Sequence, residues 1–414
     1  MNLSLFELAS AFVVAIGLIG WFNARWAHLP TAVAATLAAC GATVVLLALR
    51  GAGIGGEQVE ALVATLQSIQ FSEAVFGYLL AFLLFAGAMQ VNLEELRRRR
   101  LSIWSLATLG VLASTFVVGG GLWIAARLLA IELPLAWALV FGALISPTDP
   151  IAVLAAVRRG RLSDTLRVVL QGEALFNDGV GIVIFGAMLA IAVGGGPPNL
   201  ATVAGQVLLK AVGGLALGLA TGWLCVKALG SLGDYVVEVT VTLAAAMATY
   251  ALGERLGVSG PIAVVAAGLL VGHSGRGSET QRYVHGFWEL VDEILNAVLF
   301  LLLGLEAAVV GFTLPSVAAA AVATALVLAS RFAVIFPWGA YLARRHGEKG
   351  AVVLLGWGGL HGALSLALAL TIPPGPARGL ILSITFAVVV TSVVLQGLTY
   401  PWVTQRVSDR KTGA

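Results

Sequence analysis

Charge is scarce in this sequence. Only 11% of its 414 residues are Asp, Glu, Lys or Arg, against about 25% in a soluble globular chain. So apolar a chain cannot cover a water-facing surface. Cysteine is nearly absent too. Cys40 and Cys225 both sit inside apolar stretches, which excludes a disulfide framework or a cysteine metal site and leaves them as reduced packing residues. The net charge of +3 is too small to point to a nucleic-acid partner. Low-complexity segments and a separate soluble domain are missing as well. The first apolar run, from Leu5 to Phe22, lacks the basic start of a cleavable signal and reads as a first span.

What the chain has in excess is apolar length. Hydrophobic residues make up 59% of it and the mean hydropathy is +0.98. Apolar stretches of about 20 residues, enough to cross a hydrocarbon core roughly 30 Å thick, recur from end to end. Divided at charged residues, Pro and Gly, they predict about thirteen helices. The expected spans are 5–23, 30–49, 74–92, 102–130, 134–157, 166–194, 201–229, 235–253, 260–273, 287–309, 314–342, 350–371 and 379–402. The fold class expected is an all-α polytopic membrane protein, a single transmembrane domain over 1–414. Two six-helix repeats, 1–194 and 235–402, are joined in this reading by a linker helix at 201–229.

The basic residues orient this map, because inner loops hold Lys and Arg. With the N-terminus outside, 18 of the 24 basic residues fall on the inner side, including the run Arg97 to Arg100, and five on the outer side. The remaining one, Arg331, lies within a span. An odd number of spans follows, with the C-terminus in the cytoplasm and the plasma (inner) membrane as the expected location.

Two spans are interrupted. The fifth contains Ser146-Pro147-Thr148-Asp149-Pro150, where two prolines remove backbone donors and push their predecessors out of helical geometry. The twelfth contains Gly356-Trp357-Gly358-Gly359-Leu360-His361-Gly362, where four glycines loosen the helix. Both are fifth in their repeat, and matching interruptions in two halves point to a transporter binding site.

Acidic groups deep in a span cost roughly 2.5–3.5 kcal/mol on insertion scales and are functional candidates by default. The deep set reads as Asp149, Glu173, Asp178 and, less deeply, Glu238. Along the sixth span, Asp178 lies about 140° around the helix from Glu173 and about 7.5 Å along it, so the two carboxylates need not share one task. Asn177, four residues after Glu173, shares its face. Asp178 is therefore expected to face an ion site with Asp149 and the freed carbonyl of Thr148. Glu173 is expected to face a neighbouring helix and to pair with Arg331, whose unpaired burial would be prohibitive. A buried carboxylate resists ionisation and a nearby cation favours it, so Asp178 can hold a proton or a cation but not both. If only loaded forms reorient, that competition couples the two flows. An uncoupled cation channel is the alternative, and an intramembrane aspartyl protease using Asp149 and Asp178 a more distant one.

These residues resemble the NhaP/NHE-type sodium–proton antiporters of the monovalent cation:proton antiporter superfamily. The likeness rests on Thr148-Asp149-Pro150, on Glu173 followed by Asn177-Asp178, and on Ser259-Gly260-Pro261-Ile262-Ala263-Val264. It extends to Phe287-Trp288-Glu289 with Asn296 and Phe300, to Ser330-Arg331, and to Gly358-Gly359-Leu360-His361-Gly362-Ala363. The resemblance implies inverted repeats whose broken helices 5 and 12 cross at the site. It makes Asp178 the essential ion- and proton-binding carboxylate, completed by Thr148, Asp149 and Asn177, with Glu173–Arg331 as a structural ion pair. The Asn177-Asp178 pair implies the electroneutral branch, one cation for one proton. The resemblance also implies a homodimer and no cofactor beyond the transported ions, Na⁺ (or Li⁺ or K⁺) and H⁺. Two positions depart from the family pattern. His361 stands where Arg is usual, a titratable group in a modulatory position, and Ala174 stands where Ser is frequent.

Overall fold

The computed structural model describes residues 5–54, 56, 71–149, 162–195, 199–274, 279–308, 310–311 and 313–412. Helices account for nearly all of it: α1 (Leu5–Phe22), α2 (Thr31–Gly51), α3 (71–90), the short α4 (Leu93–Arg98), α5 (Arg100–Leu128) and α6 (Leu135–Ile145). Then come α7 (Asp164–Gly194), α8 (Leu200–Leu229), α9 (Tyr235–Leu256), α10 (Gly260–His273), α11 (Glu279–Leu305) and α12 (Leu314–His346). The second break divides α13 (Ala351–Trp357) from α14 (Ala363–Leu370), and α15 occupies 376–412. Among the described residues, eight helices are long and apolar enough to cross a membrane by themselves. The protein is an all-α polytopic membrane protein.

Helix ends fall where polar punctuation puts them. Ser163, Asn199, Asp234, Ser259 and Thr313 each accept a backbone N–H at an N-cap, and Gly195, Gly257 and Gly347 close their helices with left-handed φ. Two departures from the expected spans stand out: α15 runs to Thr412, ten residues past 402, and α11 begins at Glu279, eight residues before 287. Its first turns carry Glu279, Gln281 and Arg282, polar enough to read as loop in a hydropathy scan, yet they continue the helix. The second half of the fifth span, 150–157, including Pro150, lies outside the described residues.

The helices pack as two bundles. One gathers α1, α2, α3, α8, α9, α10 and α11, and the other α5, α6, α7 and α12–α15. Each bundle draws on both halves of the chain. Contacts within each are denser than those across the seam, where α7 meets α3, α8 and α10, α14 meets α3 and α11, and α15 meets α2.

Small residues explain the tight packing inside the first bundle. Gly214, Gly218 and Gly222 recur every fourth residue on α8 and press against the backbone around Ser259, Ala263 and Ala267 on α10. On the opposite side of α10, Gly268 and Gly272 meet Phe85 and Met89 of α3. Without a hydrophobic drive between helices in lipid, such close backbone approach is what holds them together. In the second bundle α6 is sunk deepest, with Ala138, Val140, Phe141, Ala143, Leu144 and Ile145 all fully buried. The element that carries the first break is thus central rather than lipid-facing.

Candidate ion site at the crossing of two broken helices

The first break follows from Pro147. Ser146 folds its hydroxyl back onto the Gly142 carbonyl at 2.6 Å, and from Pro147 the chain runs extended. The Asp149 N–H then donates to the Leu360 carbonyl at 2.6 Å, forming an isolated antiparallel bridge. Leu360 belongs to the second break, between α13 and α14. The two interruptions meet backbone to backbone, so groups freed by one are satisfied by the other.

A further set of polar contacts fastens this crossing. His361 Nδ1 lies 3.2 Å from the Pro147 carbonyl, and since a carbonyl only accepts, Nδ1 carries the proton in that contact. The His361 N–H donates to Ser392 Oγ at 2.9 Å, and Ser392 donates to Gln396, which in turn donates to the Trp357 carbonyl. His361 therefore ties the first break, the second break and α15 together.

Arg331 lies behind the crossing. Its guanidinium donates to both carboxylate oxygens of Glu173, one at 3.0 Å, and to the Leu355 carbonyl at 3.1 Å, near the end of α13. Glu173 is 2% exposed and Arg331 7%. At this depth the pair is compensated chiefly by its geometry and added hydrogen bonds. Gly359 leaves the space, since a Cβ there would run into the guanidinium.

One turn along α7, Asn177 turns its amide the same way and donates to Thr148 Oγ1 at 2.9 Å. Asp178 points elsewhere. Together with Asp149 it lines a cavity of about 120 Å³ at the seam, roomy enough for several waters or a hydrated ion. The Asp149 carboxylate also lies against Gly362, which caps the N-terminus of α14, where the helix dipole favours negative charge. Glu173 and Asn177 border a smaller chamber with Thr148, Arg331 and His361. The structure thus brings Thr148, Asp149 and Asp178 together on the cavity, while Asn177, joined to it through Thr148, shares the smaller chamber with Glu173 and Arg331. Glu238, included among the deep carboxylates from sequence, sits in the first turn of α9 and borders a different cavity.

The sequence reading missed a third carboxylate on this cavity, Asp292 of α11. Asn296 donates to its Oδ1 at 2.9 Å and Gln90 of α3 to its Oδ2 at 3.2 Å. A span starting at 287 would leave Asp292 in its second turn. The earlier start at Glu279 places it well inside the helix. The available signal was its i,i+4 relation to Asn296 on one helix face. Gln90 itself is exposed, and Gln171 and Ser365 complete the polar lining.

The transmembrane sodium/hydrogen exchanger family matches residues 8–406. This chain belongs to that family. Its members are membrane transporters rather than enzymes, which removes the protease alternative. Among curated relatives, the exchanger is 40% identical over 401 residues to the Na⁺/H⁺ antiporter NhaP of Pseudomonas aeruginosa, covering 95% of this chain and 94% of that one. It is 31% identical over 347 residues to the Na⁺/H⁺ antiporter NhaH of Halobacillus aidingensis, covering 80% and 83%. The fold is shared with the sodium proton antiporter MjNhaP1 of Methanocaldococcus jannaschii, at a TM-score of 0.69 and 20% identity, over 95% of this chain and 99% of that one.

Proposed function

We propose that this exchanger swaps Na⁺, or Li⁺ or K⁺, for H⁺ by competition of the two for Asp178. One observation carries the reading. Asp178 and Asp149 stand together on a cavity at the seam of two bundles, beside the one place where both broken helices meet. Carboxylate and hydroxyl oxygens are the ligands hard cations prefer, and the same carboxylate accepts a proton when the cation leaves.

The proposed stoichiometry is one to one. Asn177 is a neutral amide already engaged with Thr148, so it carries no second proton. Asp149 stays charged under the N-terminus of α14 in this scheme, and Asp178 is the group that titrates. The ion pair Glu173–Arg331 is structural: it holds α7 to α12.

Reorientation of the site is proposed to occur by movement of the bundle carrying Asp149 and Asp178 against the other. The cavity extends from the crossing towards Gln90 and Gln171, the ends of α3 and α7 nearest Arg97 to Arg100. We take that end as cytoplasmic by the positive-inside rule, with the N-terminus outside, the plasma membrane as the location and this state as inward-facing. A second copy of the chain is the proposed partner. The apolar faces of α1 and α8, with Val13, Leu18, Trp21, Leu208, Leu209 and Trp223 exposed, are open to lipid or to that copy.

Purified protein in proteoliposomes with an imposed pH gradient should release it on addition of Na⁺ or Li⁺. Asp178→Asn should abolish this while leaving the protein folded. Exchange that survives Asp178→Asn would overturn the mechanism. Clamping the voltage should leave the rate unchanged if one cation moves for one proton. Cation flux that proceeds without any proton movement would favour the channel alternative.

A further inference from the structure

Ser365 lies in the first turn of α14 and borders the cavity that holds Asp149 and Asp178. It is 1% exposed, and its hydroxyl has no hydrogen-bond partner in the protein. An orphaned buried hydroxyl costs about 1–3 kcal/mol and calls for a physical reason. Elsewhere in this chain helical hydroxyls fold back onto a carbonyl four residues earlier: Ser146 on Gly142, Thr115 on Val111, Ser383 on Gly379, Thr385 on Ile381.

The Ser365 hydroxyl does not fold back in this way, and the Gly362 carbonyl three residues earlier takes its backbone N–H instead, at 3.3 Å. The residues three and four before it are Gly362 and His361, which belong to the second break, and Gly362 is extended at φ −105° and ψ −174°. The interruption that carries the Leu360 carbonyl to Asp149 therefore also leaves this hydroxyl unspent. Thr36, another buried hydroxyl without a partner, belongs to α2 and does not border the cavity.

We infer that Ser365 supplies a neutral oxygen ligand to the monovalent cation held at Asp149 and Asp178, and so helps to set which ion is preferred. This rests on reading the cavity as the exchange site. A hydroxyl adds a hard donor without adding charge. It strengthens the hold on a cation while giving the competing proton no new negative group to neutralise. Number and spacing of oxygen donors decide selectivity among hard cations. A small ion such as Li⁺ or Na⁺ needs short contacts on every side, and it loses more than K⁺ when one is removed.

The test is the half-saturating concentration of Na⁺, Li⁺ and K⁺ in proteoliposomes for the parent, Ser365→Ala and Ser365→Thr. Removing the oxygen should raise KM for Na⁺ and Li⁺ by about five- to tenfold, the scale of one net hydrogen-bond-sized interaction, and raise that for K⁺ less. Threonine, which keeps the oxygen, should stay within about twofold of the parent. Unchanged KM values in Ser365→Ala would overturn the inference, as would equal impairment by alanine and threonine, which marks a packing role. If Ser365→Ala does not fold, Ser365→Cys replaces it, matched in size but with a soft sulfur. It should weaken thermal protection of the purified protein by Na⁺ and leave protection by Tl⁺ intact, and the parent pattern in both would overturn the inference. Asp178→Asn run alongside separates the two claims. Activity in that variant defeats the exchange mechanism, whereas inactivity there with parent-like ion preference in Ser365→Ala defeats only the role of the hydroxyl.

Discussion

Glu173 and Arg331 show how a charge survives at depth in this protein. Each is buried, each has the other, and the Leu355 carbonyl takes one of the remaining guanidinium donors. Removing one partner is costlier than removing both, because the survivor is left buried and uncompensated. Glu173→Gln should lower the stability of the detergent-purified protein by about 3–5 kcal/mol, read as a fall in its thermal unfolding midpoint. Glu173→Leu combined with Arg331→Met should recover most of that loss, and a double variant as unstable as the single one would show that the pair does more than neutralise itself. Asp178 has no such ion-pair partner among the described residues. The 100° helical step alone puts Glu173 and Asn177 on one face of α7 and Asp178 on another, and their side chains are placed in that way. Asp292 escaped the same treatment because depth was judged from hydropathy, and the polar first turns of α11 hid where that helix begins.

At the scale of elements, the two breaks act as a unit. The Asp149 N–H to Leu360 bond, the His361 contact to Pro147 and the packing of Asp149 against Gly362 leave no slack between them. Gly362 has ordinary negative φ, so its glycine is needed for space and not for backbone freedom. Gly362→Ala would push a methyl into the Asp149 carboxylate. Exchange should fall at least about tenfold, the effect of shifting a site group by even an ångström, in protein that still elutes as a folded species. Parent-like exchange would mean the crossing is looser than described. Both interruptions were readable from Pro147, Pro150 and the glycines at 356, 358, 359 and 362, since these residues change backbone options locally. That the breaks meet was implied by the family resemblance and not by the local pattern, and the assignment of each helix to a bundle came from neither. The contact between Asp149 and Leu360 joins residues more than 200 positions apart, and no local pattern encodes it.

The whole molecule is divided so that its three cavity carboxylates do not belong to one body. Asp149 and Asp178 sit on the bundle with α6 and α7, and Asp292 sits on the bundle with α3 and α11, held by Gln90 and Asn296. If one bundle travels relative to the other, Asp149 and Asp178 have this third negative charge for company at only one end of the stroke. The machine is then lopsided by construction. An arriving cation should be caught at lower concentration from the face where Asp292 waits than from the opposite one, although the gradients alone still decide which way net flow runs. Asp292→Asn should raise the half-saturating Na⁺ concentration about three- to tenfold when measured from the Gln90 face and leave the other face as it was. Vesicles sorted by orientation would read both faces, and equal loss on the two would mean that no such bias exists. A protein of this shape would behave as a valve with a soft preference, loading more readily from the Gln90 face than from the other.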